Sequence, residues 1–350
     1  CSVGVNVLSV GVVPTPAVAY LVGKYGCAAG VMISASHNPC EYNGIKIFQS
    51  TGYKLPDETE EKIEAIILDK NYEIKTKIGG EVGKRIYCKT AVEDYINHVV
   101  SVAEVRFDGL NIAIDTANGS ASVCAKEIFT RLGAKCHMLS DTPNGVNINL
   151  NCGSTHPEEL MAFVKANKLD LGVAFDGDAD RMLAVDENGN LVDGDKIIAI
   201  CAAQMKQDGK LAKNTAVVTV MSNMGFFKFC EENDIKCAKT AVGDRYVLER
   251  MLQKGYNIGG EQSGHVIFLD YATTGDGELS AVKLIETIVK SGATLGSLAK
   301  IMTVYPQVLI NVPVTPQGKL KYNNDEYIIS AVQEAEMDLN GDGRVLVRVS

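Results

Sequence analysis

The sequence predicts an α/β protein: three consecutive α/β units with mixed sheets, followed by the start of a smaller α+β C-terminal domain. Three observations predict it. A pattern of strand, polar loop and helix recurs along the chain, which is how parallel and mixed sheets with covering helices are written. The 350 residues exceed one ordinary domain. The 46% hydrophobic content suffices for several buried cores. Seams fall near Arg106–Gly109, Gly209–Asn214 and Tyr305–Pro316, dividing the chain into 1–107, 108–212, 213–306 and 307–350.

In the first unit, Val31-Met32-Ile33 reads as the end of a buried strand, and a helix is expected over Asp57–Leu68, with Asp57 as its cap. The second opens with the strand Leu110–Asp115, enters a helix at Ser122–Leu132 and includes the apolar strand Leu171–Phe175. The third opens with Ala216–Val220, followed by a helix to Glu232 and another over Glu278–Val289. Beyond the last seam, Asn324–Asp338 reads as an amphipathic helix and Arg344–Val349 as a strand.

Net charge of −9 argues against nucleic acid or an anionic membrane as main partner. No apolar run reaches the roughly 18 residues of a membrane span. The ten cysteines include no Cys-x-x-Cys pair and no zinc spacing. They read as free thiols of a reducing, cytoplasmic compartment, with Cys124 in apolar surroundings.

Three loops carry chemistry. In Ser34-Ala35-Ser36-His37-Asn38-Pro39, a hydroxyl follows a strand among backbone N–H groups. That suits a nucleophile or phosphate carrier, although turns and caps are built the same way. His37 can orient Ser36, meet a phosphate or be a structural histidine, and Lys46 suits acid–base work if neighbouring cations or burial lower its pKa and is otherwise an ordinary surface lysine. In Asp176-Gly177-Asp178-Ala179-Asp180-Arg181, alternation on an extended segment puts three carboxylates on one side. Such carboxylates repel unless a hard cation such as Mg²⁺ joins them, and Arg181 adds a fixed charge suited to a phosphoryl group; an acidic turn between two strands is the other reading. In Gly260-Glu261-Gln262-Ser263-Gly264-His265, Glu261 and Ser263 can grip sugar hydroxyls, although a glycine-rich turn is written the same way. Two further patterns read as turns: Asp338–Gly343, which mimics half a calcium loop, and Thr274-Gly275-Asp276-Gly277, which leads into a helix.

The order of these loops, one per unit, resembles the α-D-phosphohexomutase family. The resemblance implies units arranged about a central cleft and a phosphorylated Ser36. It implies Mg²⁺ held by Asp176, Asp178, Asp180 and the Ser36 phosphate, sugar contacts from Glu261 and Ser263, and Lys46 as general acid/base. Val242-Gly243-Asp244-Arg245-Tyr246 and Gln262 fit the amino-sugar branch, adding Asp244 and Arg245 as substrate contacts. Arg348 and Ser350 match the start of a loop that holds the substrate phosphate. The first and fourth units are expected to be incomplete against the family pattern. The implied activity is interconversion of glucosamine 6- and 1-phosphates, with a hexosamine phosphate as partner and a homodimer as assembly. Glucose or mannose phosphates are the alternative substrates. A metal-dependent phosphatase with Asp176 as nucleophile and a non-catalytic sugar-phosphate-binding protein are the competing readings.

Overall fold

A computed structural model describes residues 1–69, 72–321, 324–340 and 343–348. In the first unit β1 (Val7–Ser9) pairs in parallel with β4 (Arg85–Tyr87), and β2 (Ala29–Ile33) pairs antiparallel with β3 (Ile45–Gln49). Helices α1 (Thr15–Lys24), α2 (Asp57–Leu68) and α3 (Ala91–Ser101) accompany them. The expectation of a buried strand at Val31–Ile33 is corrected. Val31 and Ile33 are 57% and 69% exposed, because a two-stranded ribbon covers only one face of β2. The helix expected at Asp57–Leu68 has those bounds, but Pro56, not Asp57, precedes its first turn, and it buries no residue.

The second unit orders its sheet β6-β5-β7-β8-β9. Strands β5 (Asn111–Asp115), β6 (Lys135–Leu139) and β7 (Leu171–Phe175) are parallel; β8 (Met182–Val185) and β9 (Leu191–Val192) return antiparallel. α4 (Ala125–Arg131), α5 (Glu158–Asn167) and α6 (Gly194–Gln207) flank it. The helix expected from Ser122 is broken: a 3₁₀ turn at Ser120–Val123 precedes α4, and Cys124 between them has extended φ of −136°. All ten cysteines are free.

The third sheet runs β11-β10-β12-β13. β10 (Thr215–Thr219), β11 (Lys236–Thr240) and β12 (Ile258–Gly260) are parallel, and β13 (Val266–Phe268) is antiparallel. α7 (Met224–Glu232), α8 (Asp244–Lys254), α9 (Gly277–Ser291) and the short α10 (Leu295–Leu298) complete it. Leu279, Val282, Leu284 and Ile285 of α9 are all fully buried. Each contributes about 1.5–3 kcal/mol relative to exposure. α9 packs on α3, α6, β7, β8 and β13, so one helix ties all three units into a common core. Its buried Lys283 is satisfied by Val102 O at 2.8 Å and Glu286 at 3.0 Å.

Beyond Tyr305 lie α11 (Pro316–Lys321) and α12 (Glu326–Leu339). Asp325 caps α12, which forms where its periodicity predicts but buries none of its residues. The strand expected over Arg344–Val349 is not formed among the described residues 343–348, which find no neighbouring strand to pair with. Val349, Ser350 and the Gly341-Asp342 portion of the Gly/Asp turn lie outside the described residues. Among the described residues no helix is long and apolar enough to cross a membrane.

Candidate active site

The loop after β7 is the hub. Asp176, Asp178 and Asp180 are all buried, and one carboxylate oxygen from each lies within 4.8 Å of the others. They do not converge by strand alternation, as the spacing predicts. The segment turns, with Ala179 N–H bonded to Asp176 O at 3.0 Å and Ala179 at φ +55°. Three first residues of helical turns hold the loop's carbonyls, one from each unit. Thr15 of α1 donates its N–H to Asp178 O, Ser120 donates to Gly177 O, and Gly277 of α9 donates to Ala179 O, each at 2.9 Å. The Thr15 hydroxyl also donates to Asp178 Oδ2 at 2.5 Å.

Ser36 reaches this hub from the first unit. Its Oγ donates to Asp176 Oδ2 at 2.7 Å. Ser36 itself is left-handed, with φ +55°. Asn149 fixes that conformation by donating Nδ2 to Ser36 O at 2.8 Å and Asn38 O at 3.0 Å. The close approach requires Gly177, since a Cβ there would lie 2.5 Å from Ser36 O.

The electrostatics follow from crowding. Burial, then the charges of Asp180 and Asp178, push Asp176 up to about 8. Burial opposes ionisation of Asp180 too, but His265, Lys46 and Arg181 outweigh it and hold its pKa low. Lys46 Nζ lies 2.6 Å from Asp178 Oδ2 and 2.9 Å from Asp180 Oδ2. Burial works to lower the Lys46 pKa, yet the two carboxylates prevail and raise it. The lowered pKa that the sequence makes a condition for acid–base work is therefore absent: the neighbours are anions, not cations. Arg181 Nη1 donates to His37 Nδ1 at 3.1 Å. Burial, then Arg181, lowers the His37 pKa, so the ring accepts as a neutral imidazole.

A divalent cation fits this donor set. Asp178 Oδ1 and Asp180 Oδ1 are buried without hydrogen-bond partners. Hard carboxylate oxygens of this kind suit Mg²⁺.

The loop between β12 and β13 faces the hub. Gly264 N–H closes a turn on Glu261 O at 3.0 Å, so Glu261 and Ser263 sit on a tight turn rather than along one side of a strand. Glu261 Oε1 accepts the Gly243 N–H at 3.1 Å, while Ser263 is exposed. Gln262 donates to Asp193 at 3.1 Å. Asp244, at the start of α8, pairs with Lys54 of the first unit and lies 3.5 Å from His265 Nε2. Burial opposes its charge, but His265 and Lys54 hold its pKa well below the usual range. Arg245 pairs with Asp57 and with Glu249. Two ion pairs thus join the first and third units beside the Glu261 loop. His265 is a further site residue that its sequence context does not single out. It is buried, neither ring nitrogen makes a hydrogen bond, and it adjoins both Asp244 and Asp180.

Ser36, Lys46, His37, Arg181 and the three aspartates are brought together, with Glu261, Asp244 and His265 adjoining. Arg348 is not. It is exposed on the wall of an open cavity of about 1390 Å³ formed with Met221, Asn223, Met224 and Tyr305–Val314, away from these loops. Arg344 is drawn in more closely, donating to Ser222 O at 2.5 Å and stacking on Phe227.

Comparison with known proteins accounts for the three-loop arrangement. The family description "Phosphoglucomutase/phosphomannomutase" matches as alpha/beta/alpha domain I at residues 1–73, domain II at 93–189 and domain III at 193–305. The chain belongs to this phosphohexomutase family. Among its relatives, this phosphohexomutase is 52% identical to the phosphoglucosamine mutases of Ruminiclostridium cellulolyticum and Clostridium novyi over 350 residues. The match takes in 100% of this chain and 78% of each relative. Its fold is shared by Aspergillus fumigatus N-acetylphosphoglucosamine mutase, solved in complex with GlcNAc-6P and magnesium. That match has a TM-score of 0.74 and 18% identity, over 96% of this chain and 86% of the other. A phosphoglucomutase/phosphomannomutase family protein of Burkholderia thailandensis matches at a TM-score of 0.73 and 24% identity, over 88% of this chain and 67% of the other.

Proposed function

We propose that this phosphohexomutase is a phosphoglucosamine mutase, an isomerase interconverting glucosamine 6-phosphate and glucosamine 1-phosphate. The observation that carries the reading is Ser36 Oγ at 2.7 Å from Asp176 within a buried aspartate triad. It stands in a chain 52% identical throughout to phosphoglucosamine mutases. Ser36 is the phosphate carrier. A sugar hydroxyl attacks the Ser36 phosphoryl group: a new P–O bond forms to the sugar, the bond to Ser36 Oγ breaks, and the proton lost by the sugar hydroxyl is balanced by the one that restores the Ser36 hydroxyl. The bisphosphorylated sugar turns over, and its other phosphate returns to Ser36 Oγ by the reverse exchange.

Asp176, Asp178 and Asp180, with a phosphate on Ser36, would hold Mg²⁺, which would supply charge neutralisation at the transferring group. Arg181, braced by neutral His37, clamps phosphoryl oxygens. Lys46, kept cationic by Asp178 and Asp180, can serve as an acid and not as a base, supplying a proton to the departing sugar oxygen. Glu261 and Ser263 grip sugar hydroxyls in both orientations. Asp244 and Arg245 set the approach of the first and third units around the sugar, and Arg348 belongs to the phosphate-holding end.

A coupled assay with glucosamine, glucose and mannose 6-phosphates side by side tests this reading. Glucosamine 6-phosphate is expected to turn over fastest, and Ser36→Ala to abolish turnover. Full activity of Ser36→Ala sinks the carrier role; preference for glucose or mannose phosphate sinks the amino-sugar assignment.

A further inference from the structure

Thr274-Gly275-Asp276-Gly277 reads in sequence as a plain turn, and Cys124 as a thiol in apolar surroundings. In three dimensions both belong to a buried polar cluster at the junction of the three units. Tyr95 comes from α3, Cys124 from the break before α4, and Asp276 and Glu278 from the start of α9. None is more than 2% exposed.

Hydrogen counting constrains this cluster. Tyr95 Oη lies 2.9 and 3.0 Å from the two Asp276 oxygens and 2.7 Å from Glu278 Oε2. A phenol has one proton to donate, so it cannot satisfy two anionic carboxylates at once. One carboxyl must be protonated and donate back to Oη. Asp276 caps α9, accepting the Leu279 N–H at 2.9 Å, and a helix N-terminus favours the anion there. The proton therefore sits on Glu278 Oε2, and Glu278 Oε1 accepts the Cys124 thiol at 2.8 Å. Every member is then satisfied.

We infer that Tyr95, Asp276 and protonated Glu278, with Cys124, are positioning residues for the metal loop. They fix the start of α9, whose Gly277 N–H carries the Ala179 carbonyl between Asp178 and Asp180. No slack separates the two: a Cβ on Gly277 would lie 2.7 Å from Arg181 O and 2.9 Å from Ala179 O. In support, burial and the Asp276 charge push Glu278 up to about 8. The inference rests on the reading of Asp176, Asp178 and Asp180 as a metal site, and is independent of which sugar is turned over.

The test is Mn²⁺ binding to the intact enzyme, read by the electron paramagnetic signal of free Mn²⁺. All variants are matched for Ser36 phosphorylation by intact mass. Glu278→Gln keeps a donor toward Tyr95 and an acceptor toward Cys124, and is expected to bind Mn²⁺ as the unaltered enzyme does. Tyr95→Phe and Glu278→Leu are expected to weaken binding about tenfold or more, the scale for loss of groups that orient metal ligands. Tyr95→Phe preserves the ring packing and carries the test if Glu278→Leu does not fold. Unweakened binding by Tyr95→Phe, or Glu278→Gln as weak as Glu278→Leu, overturns the inference. Failure of the unaltered enzyme to bind Mn²⁺ overturns the metal-site reading itself, and the inference with it.

Discussion

Met182 N–H donates to Gly264 O at 3.0 Å, joining the end of the aspartate loop to the end of the Glu261 loop through a single backbone bond. This bond helps fix the spacing between the groups assigned to phosphate and those assigned to sugar, together with the Gly194 N–H donated to Gln262 O at 3.0 Å. Gly264 makes it possible: its φ is +95°, and a Cβ there would lie 2.4 Å from Met182 O. Gly264→Ala is expected to lower stability by more than about 1 kcal/mol. It should also raise KM for the sugar phosphate, both visible in a melting curve and a saturation curve.

Asn149 acts on the carrier loop alone. Asn149→Ala removes the donor to two carbonyls and should cost about 1–3 kcal/mol of stability. The sharper effect falls on turnover, since a misplacement of about 1 Å at the reacting group costs on the order of 10²-fold. Single-turnover transfer from phosphorylated Ser36 to glucosamine 6-phosphate measures it.

Lys46 and a divalent cation draw on the same two carboxylates, Lys46 through Oδ2 of Asp178 and Asp180 and the cation through their partnerless Oδ1 atoms, so the two positive charges oppose each other. Lys46→Met is therefore expected to move two quantities in opposite directions. Mn²⁺ affinity, measured by calorimetry, rises, while kcat falls about 10²-fold or more with the loss of the proton donor. A fall in both would mean that Lys46 serves mainly to hold the loop together.

Stability should depend on pH through Glu278 and Asp276. Burial raises them from 4.5 to about 8 and from 3.8 to about 6. Between the unfolded and folded values the native state keeps protons that the unfolded chain releases. Stability is accordingly full below about pH 4 with respect to these groups and declines as pH rises to about 8. Melting temperatures of Glu278→Gln against the unaltered protein, taken from pH 5 to 9, should show a shallower alkaline decline in the variant.

The elements most legible in the sequence are those whose fate is decided locally. The strand Leu171–Phe175 and the helix Asp57–Leu68 have the expected bounds because apolar runs and helical spacing are short-range signals. The three loops were legible because their residue types are unusual together. What partners supply was not. Lys46 reads as a base in waiting, yet its pKa is set by aspartates more than a hundred residues away. Asp276 and Glu278 look like a turn and a helix start; only Tyr95, brought in by packing of α3 on α9, makes them a buried cluster. His265 is one letter in a glycine-rich run until Asp244 is placed beside it.

The loop 176–181 draws its backbone support from Thr15, Ser120 and Gly277, one residue in each unit. It is therefore not a portable cassette. Grafting β5 through β9 from a distant relative would import three aspartates and Ser120, but leave Thr15 and Gly277 to the recipient. A change in loop shape has to be matched in two other stretches at once. Recombination between divergent members should succeed when the three units travel together and fail when the middle one travels alone.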